Sequence, residues 1–169
     1  SINAAYGLHS QLPPMTYYFK QVDTYQEGQD NPVYVEPNRG LDFTRSHHYV
    51  LGYRFKFGDF WQVKAEGYYQ DINNAITEES TSSFSSLNAG SFSDDAPDSL
   101  NNQGKGYNYG FDFTLERRLQ NGFYTMLTAS LYESKYQGSD GEWRNTAFAG
   151  NYILNVIGGK DILLGRKGG

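Results

Sequence analysis

The sequence predicts an all-β fold arranged as an antiparallel up-and-down meander, and three observations support this prediction. The composition favours strands and turns, because the 169 residues include 15 Tyr, 11 Phe and 19 Gly but only 2 Met and no Cys. Apolar and polar residues alternate with period two over stretches of roughly ten residues. Long and short connections follow one another between these stretches. Together these features predict about seven strands.

The first strand is predicted from Ile2 to His9, where alternate residues are apolar. Residues 10–46 lose this alternation and contain four prolines, which predicts a long loop. Within it, Tyr17, Tyr18 and Phe19 are candidate ligand contacts, because flat ligands stack on aromatic rings. The alternative interpretation is that these rings pack the loop against itself or its neighbours.

A central hairpin is predicted over residues 47–72, with a three-residue loop at 58–60. This loop pairs Phe57 with Trp61 and Phe55 with Val63, so that one face is apolar. The other face carries charge, and Arg54 is expected opposite Lys64 and diagonal to Glu66. That arrangement predicts a charge ladder.

The second half of the chain repeats this organisation. Residues 73–105 are predicted to form a second long loop, whose carboxylates lack the spacing of a calcium loop: Glu78, Glu79, Asp94, Asp95 and Asp98. Strands are predicted from Gly106 to Glu116 and from Phe123 to about Tyr136, joined by a short turn over residues 117–122 in which Asn121-Gly122 adopts positive φ. Residues 137–145 are predicted to form a loop of medium length.

A further strand is predicted from Phe148 to Val156, and Gly158-Gly159 is expected to end it. A last apolar segment is predicted from Ile162 to Leu164. In an antiparallel meander, alternate connections lie at the same end, so the long loops gather at one rim and the tight turns at the other. Outer-membrane β-barrels show this asymmetry, which predicts that the chain is part of a large transmembrane β-barrel.

In a barrel wall, successive residues of each strand face the lipid and the lumen alternately. The positions predicted to face lipid share the apolar parity: Tyr49, Leu51, Tyr53, Phe55, Phe57, Trp61, Val63, Phe111 and Phe113, with Tyr109 continuing the same surface. The positions predicted to face the lumen share the polar parity: Arg54, Lys56, Lys64, Glu66, Asp112 and Glu116.

The sequence predicts no enzyme, cofactor or metal site. Adjacent His47 and His48 point to opposite faces of a strand, so they cannot ligate one metal together, and His9 is the only other histidine. No catalytic constellation is evident. The net charge of −5, without clustered Lys and Arg, argues against a nucleic-acid surface. The sequence contains no run of ~18 apolar residues, so no transmembrane helix is predicted.

Three motifs, NYGFDFTLE, SKYQGSDGEWRNT and FAGNYILN, resemble the barrel of TonB-dependent outer-membrane receptors of the Bacteroidetes type, and the resemblance covers nearly the whole chain. It implies import of a scarce large solute, of the siderophore, vitamin or oligosaccharide class. It also implies the Gram-negative outer membrane as the location, with membrane lipid, the imported solute and the TonB complex as partners.

Relative to that family, residues 1–169 are expected to form a partial barrel domain, with the plug domain that contacts TonB and the closing strands outside it. An isolated wall segment is expected to self-associate, because its edges and aromatic face lack cover. The alternative function is a secreted β-sandwich that binds glycans through Tyr17, Tyr18 and other loop aromatics.

Overall fold

The computed structural model describes residues 1–25, 31–89 and 96–161, and within them it contains one seven-stranded antiparallel sheet. The strands of this sheet are β1 (Ile2–Gln11), β4 (Thr44–Phe57), β5 (Trp61–Glu78), β6 (Leu100–Gln120), β7 (Phe123–Gln137), β8 (Trp143–Asn145) and β9 (Asn151–Lys160). The first five pair in chain order, and β8 and β9 both pair with β7. The predicted all-β meander is therefore confirmed.

The predicted hairpins have the expected register. Phe57 pairs with Trp61 and Phe55 with Val63, which confirms the central hairpin and its three-residue loop. The second tight turn has Asn121 at φ 54° and Gly122 at φ 72°. Two consecutive residues with positive φ characterise the turns that match the twist of paired strands, and Asn-Gly is their preferred sequence.

The second long loop is shorter than the sequence predicts, because β5 continues to Glu78 and β6 already begins at Leu100. The register shifts after Ile72, where Asn74 has φ 57°. Beyond this irregularity Ala75, Ile76 and Thr77 are all fully buried. Because neighbouring residues on both faces are covered, this part of the strand does not alternate, which explains why its sequence reads as a loop. Asp94 and Asp95 lie outside the described residues.

The last strand also differs from its predicted bounds. It begins at Asn151 rather than Phe148 and continues through Gly158 and Gly159 to Lys160, so the prediction that these glycines end it is wrong. The ring of Tyr124 lies against Gly159 and occupies the space that a side chain there would need. Strand pairing thus continues past the glycines. The predicted segment from Ile162 to Leu164 lies outside the described residues.

Two of the connections, one long and one of medium length, contain structure of their own. Within residues 12–43 lie a short helix, α1 (Met15–Tyr18), a small hairpin of β2 (Val22–Thr24) with β3 (Val33–Val35), and a 3₁₀ turn (Pro37–Gly40). The predicted loop 137–145 includes β8, which pairs with the end of β7. No helix in the described part of the chain is long and apolar enough to cross a membrane.

The buried core lies at one end of the sheet rather than on either of its faces. Its members are Tyr17, Leu41, Ile76, Ala96 and Leu100, with Tyr18 and Phe84 packed against them. They come from residues 12–25, 31–43, 79–89 and 96–99, here called the loop cap, and from the strand ends that it covers. The long connections therefore lie together at one rim, as the meander predicts, and the tight turns lie at the other.

Candidate functional site

One face of the sheet, here called the aromatic face, is an uncovered apolar surface. The strand registers place on it the residues predicted to share one parity and extend it across the sheet: Ile2, Tyr6, Tyr49, Leu51, Tyr53, Phe55, Phe57, Trp61, Val63, Tyr69, Tyr109, Phe111, Phe113, Leu127, Leu131, Tyr152, Leu154 and Val156. Leu51 is 61% exposed and Leu131 is 59% exposed. The prediction of one continuous apolar surface is confirmed.

Aromatic residues concentrate towards both ends of this face. Near the loop cap, the ring centroids of Tyr6 and Tyr49 lie 5.3 Å apart, and those of Tyr49 and Tyr69 lie 6.4 Å apart. Near the tight turns, the rings of Phe57 and Trp61 stack at 5.9 Å. Tyr49 to Phe57 covers about 27 Å of strand at ~3.4 Å per residue, or roughly 21 Å along the normal for a tilt of ~40°. Outer-membrane barrels carry an apolar band of comparable height, ~25 Å.

Among the described residues, charged side chains appear on the aromatic face only near the two ends of this band. Near the loop cap, Glu133 pairs with Lys135 at 2.6 Å and accepts a hydrogen bond from the hydroxyl of Tyr109. Near the tight turns, the guanidinium of Arg117 lies 4.8 Å from the ring centre of Phe123 and donates to its carbonyl at 2.7 Å. Such pairing lets the charges sit at the edge of an apolar surface.

The opposite face, here called the polar face, carries the residues of the other parity. Arg54 is directly opposite Lys64, and Glu66 pairs with Gly52, so the expected diagonal register is confirmed. The predicted charge ladder is not formed, since the salt bridges among the described residues include none of these three side chains. Arg54 and Glu66 are exposed to solvent instead, and Lys64 is half-buried, so their charges are screened rather than paired.

An ordered network of amide, hydroxyl and imidazole side chains crosses three strands on the polar face nearer the loop cap. Asn108 on β6 donates to the Gln70 carbonyl oxygen at 2.7 Å. The Gln70 amide on β5 lies 2.7 Å from Ser46 Oγ and 2.8 Å from His48 Nε2, both on β4. Because each amide both donates and accepts, the network fixes the orientation of its members.

Two adjoining clefts border this network. The larger, of about 470 Å³, includes Tyr68, Asn108, Tyr132 and Phe148 in its lining. The other, of about 370 Å³, includes His9, Ser46 and His48. Gln70, Ile72 and Leu87 line both, and Leu87 reaches the sheet from the loop cap over Gly106, where a Cβ would lie only 2.5 Å from Leu87 Cδ1. The loop cap therefore bounds both clefts from one end.

Two of the three histidines meet across neighbouring strands rather than along the chain. The register of β1 with β4 places Gly7 opposite His48, and the rings of His9 and His48 then lie 4.6 Å apart. His47 points to the aromatic face, where Tyr6 lies 2.9 Å from its Nδ1. Within the described residues no group of three or more His, Cys, Asp or Glu side chains is placed to hold a metal ion.

The candidate ligand-contacting residues of the first loop lie in the loop cap. Tyr17 is buried in its core, and the Tyr18 hydroxyl donates to the Leu41 carbonyl at 2.5 Å. Phe19 is the most exposed of the three, and the guanidinium of Arg39 lies 5.9 Å from its ring centre. Ligand contact by these residues stays a prediction, and Phe19 is the one whose ring is accessible for it.

The loop cap is joined across its two long connections by polar contacts. Lys20 pairs with Asp98 at 2.9 Å. The fully buried Asn38 donates to the Asp98 carbonyl at 3.1 Å and accepts from the Leu100 backbone N–H at 2.8 Å. One side chain thus satisfies two backbone groups of the opposite loop, and the two connections form a single packed unit.

A third connection, around β8, closes with its own ion pair. The Arg144 guanidinium donates to both carboxylate oxygens of Asp140, at 2.7 and 2.9 Å, and this contact lowers the pKa of Asp140, assisted by the backbone N–H of Glu142. Ser139 also donates to the Ser80 carbonyl at 2.5 Å. The third connection is thereby attached to the loop cap.

The residues of the amide network and of the cleft lining were not among those expected to contact a ligand. A usable signal was present, because His48, Gln70 and Asn108 all have the polar parity of the two predicted hairpins. The lateral register that brings these side chains together depends on pairing between β5 and β6, across a long connection. Turn chemistry does not determine that register.

Residues 2–157 match the family model described as TonB dependent receptor-like, beta-barrel. No curated protein matches this chain. No solved structure matches it either.

Proposed function

Because the chain belongs to the TonB-dependent receptor-like β-barrel family, we propose that it forms part of the barrel wall of an outer-membrane receptor that imports a large solute. Members of this family are transporters rather than enzymes, and they reside in the outer membrane of Gram-negative bacteria. The Bacteroidetes subtype, the solute class and the connection to TonB through a plug domain are parts of the proposal.

The observation that carries the proposal is the uncovered aromatic face. A contiguous apolar surface across a seven-stranded sheet requires a cover, and monomeric soluble proteins rarely expose one. A sandwich would place a second sheet on it, but in the described parts of the chain the remaining strands form only the β2–β3 hairpin. The comparisons give the sandwich alternative no support. Lipid is the cover that a barrel wall provides.

In this arrangement the aromatic face contacts lipid and the polar face lines the lumen. The loop cap then lies on the outer side, where barrels carry their long loops, and the two tight turns lie on the periplasmic side. An isolated wall segment would expose both edges of the sheet as well as the aromatic face, so self-association is expected of the segment on its own.

Paired cysteines on one strand test this orientation. The chain contains no native Cys, and Leu131 and Ser130 are neighbours on opposite faces of β7. In the full-length receptor in lipid vesicles, a nitroxide at Leu131→Cys should be relaxed by oxygen and shielded from a water-soluble nickel chelate. The label at Ser130→Cys should not share that preference for oxygen.

Asp59→Cys in the exposed tight turn provides the reference for full access to water. Nickel access at Leu131→Cys equal to that at Asp59→Cys would contradict the proposal. Shielding of Leu131→Cys from both reagents would contradict it as well, because a protein interior excludes both.

A further inference from the structure

The polar face is divided into two chemically different halves. The half nearer the tight turns carries all six charged residues expected on this face: Arg54, Lys56, Lys64, Glu66, Asp112 and Glu116. The half nearer the loop cap carries the amide network and both clefts. A uniform water-filled lining would not require this division.

The charged side chains that border the neutral half are directed elsewhere. Glu133 and Lys135 contribute to the rim of the larger cleft, but their side chains pair with each other beside Tyr109 on the aromatic face. Arg144 lies on β8 opposite Tyr136, at the loop-cap end of β7, and its guanidinium already donates to both carboxylate oxygens of Asp140. Apart from Glu133, Lys135 and the histidines His9 and His48, the described lining of the two clefts consists of uncharged side chains, among them the hydrogen-bonding groups of Gln70 and Asn108.

Aromatic rings accompany these polar groups. Tyr68 and Tyr132 lie on either side of Gly110 in the sheet, and the Tyr68 ring lies over that glycine. Phe148, at the rim of the same cleft, is 72% exposed. The cleft thus combines oriented amides with accessible ring surface.

We propose that the neutral half of the polar face binds a neutral polyhydroxylated solute, chemically a sugar, on its way through the barrel. This inference rests on the proposed function and narrows its solute class. Amides and hydroxyls donate and accept at once, as a sugar hydroxyl requires, and aromatic rings pack on the C–H faces of sugar rings. An anionic chelate would need cations, and Arg54, Lys56 and Lys64 lie in the other half.

Retention of solutes by the full-length receptor tests the proposal. Membrane vesicles carrying the receptor are incubated with an equimolar mixture of neutral oligosaccharides, uronic-acid oligosaccharides and ferric siderophores, washed, and analysed by mass spectrometry. Neutral oligosaccharides should be retained in preference to both anionic classes. Asn108→Leu should reduce their retention at least tenfold, because the network loses one end and the cleft loses an amide.

Asn155→Leu is the matched control. Asn155 lies on the polar face of β9 opposite Thr128, outside both clefts, and its amide makes one long hydrogen bond of 3.4 Å to Thr128 Oγ1. This variant should retain neutral oligosaccharides as the unchanged receptor does. Both variants are compared as folded barrels, identified by their shifted mobility in unheated gels.

Preferential retention of an anionic class, or no retention of neutral oligosaccharides, would overturn the inference, as would equal losses in Asn108→Leu and Asn155→Leu. The labels at Leu131→Cys and Ser130→Cys separate this failure from failure of the proposed function. If the label at Leu131→Cys is lipid-exposed while neutral oligosaccharides are not retained, only the solute class is wrong.

Discussion

A cation placed at Ala129 should destabilise the protein strongly. Ala129 lies on the aromatic face between Phe113 on β6 and Leu154 on β9. It is four residues from Thr125 towards the tight turns and four from Glu133 towards the loop cap. At ~3.4 Å per residue and a tilt of ~40°, each end is about 10 Å away along the membrane normal. Ala129 therefore lies near the middle of the apolar band.

For Ala129→Arg we expect a loss of about 2–4 kcal/mol in the free energy of unfolding, the cost of arginine at the bilayer midplane. At ~1.4 kcal/mol per factor of ten, this lowers the folding equilibrium constant roughly 30- to 700-fold. Thr128→Arg, one residue away on the polar face, should cost less than about 1 kcal/mol, because in the proposed barrel its side chain would enter the water-filled lumen.

Guanidinium chloride unfolding of the full-length receptor from lipid vesicles, followed by tryptophan emission, measures both variants. Thr125→Arg adds a depth control, since a cation near the edge of the band should cost only ~0–1 kcal/mol. Equal losses for Ala129→Arg and Thr128→Arg would refute the assignment of the two faces. Equal losses for Ala129→Arg and Thr125→Arg would refute the position of the band.

Two further predictions concern the loop end of the molecule. Asn38→Ala should open the loop cap, because it leaves the buried Leu100 N–H without a partner and removes a donor from the half-buried Asp98 carbonyl, at a cost of about 1–3 kcal/mol that is measurable as faster amide exchange at Leu100. The contact of Arg144 with Asp140 lowers the pKa of Asp140, so the β8 connection should keep this stabilisation above pH ~4 and lose it as the pH falls through the lowered folded-state pKa. Amide exchange around β8 from pH 6 to pH 2 should show this opening, and Asp140→Asn should remove its pH dependence.

The parts of the fold that the sequence predicted correctly are those governed by local rules. Alternation with period two assigns each residue of the central hairpin to a face, and the three-residue loop sets the pairing of Phe57 with Trp61. Asn121-Gly122 likewise specifies its own turn. Such features involve residues close in the chain, so no knowledge of distant contacts is required.

Predictions failed where distant residues cover a strand. Beyond Ile72 the loop cap buries both faces of β5, so Ala75 and Ile76 lose the alternation that identifies a strand. Gly159 stays paired with Tyr124 in β9, and the Tyr124 ring of the neighbouring strand lies against it. In both cases the partner comes from another part of the chain, and local propensity is overridden by packing.

The sequence by itself determined the strand periodicity, the tight turns and the two faces, because alternation and turn chemistry are local properties of the backbone. Only the tertiary structure decided which polar residues meet. The registers of β1 on β4 and of β6 on β5 are set across long connections, and they bring His9 to His48 and Asn108 to Gln70. A shift of one residue in either register would move these side chains to the opposite face, since side chains alternate along a strand.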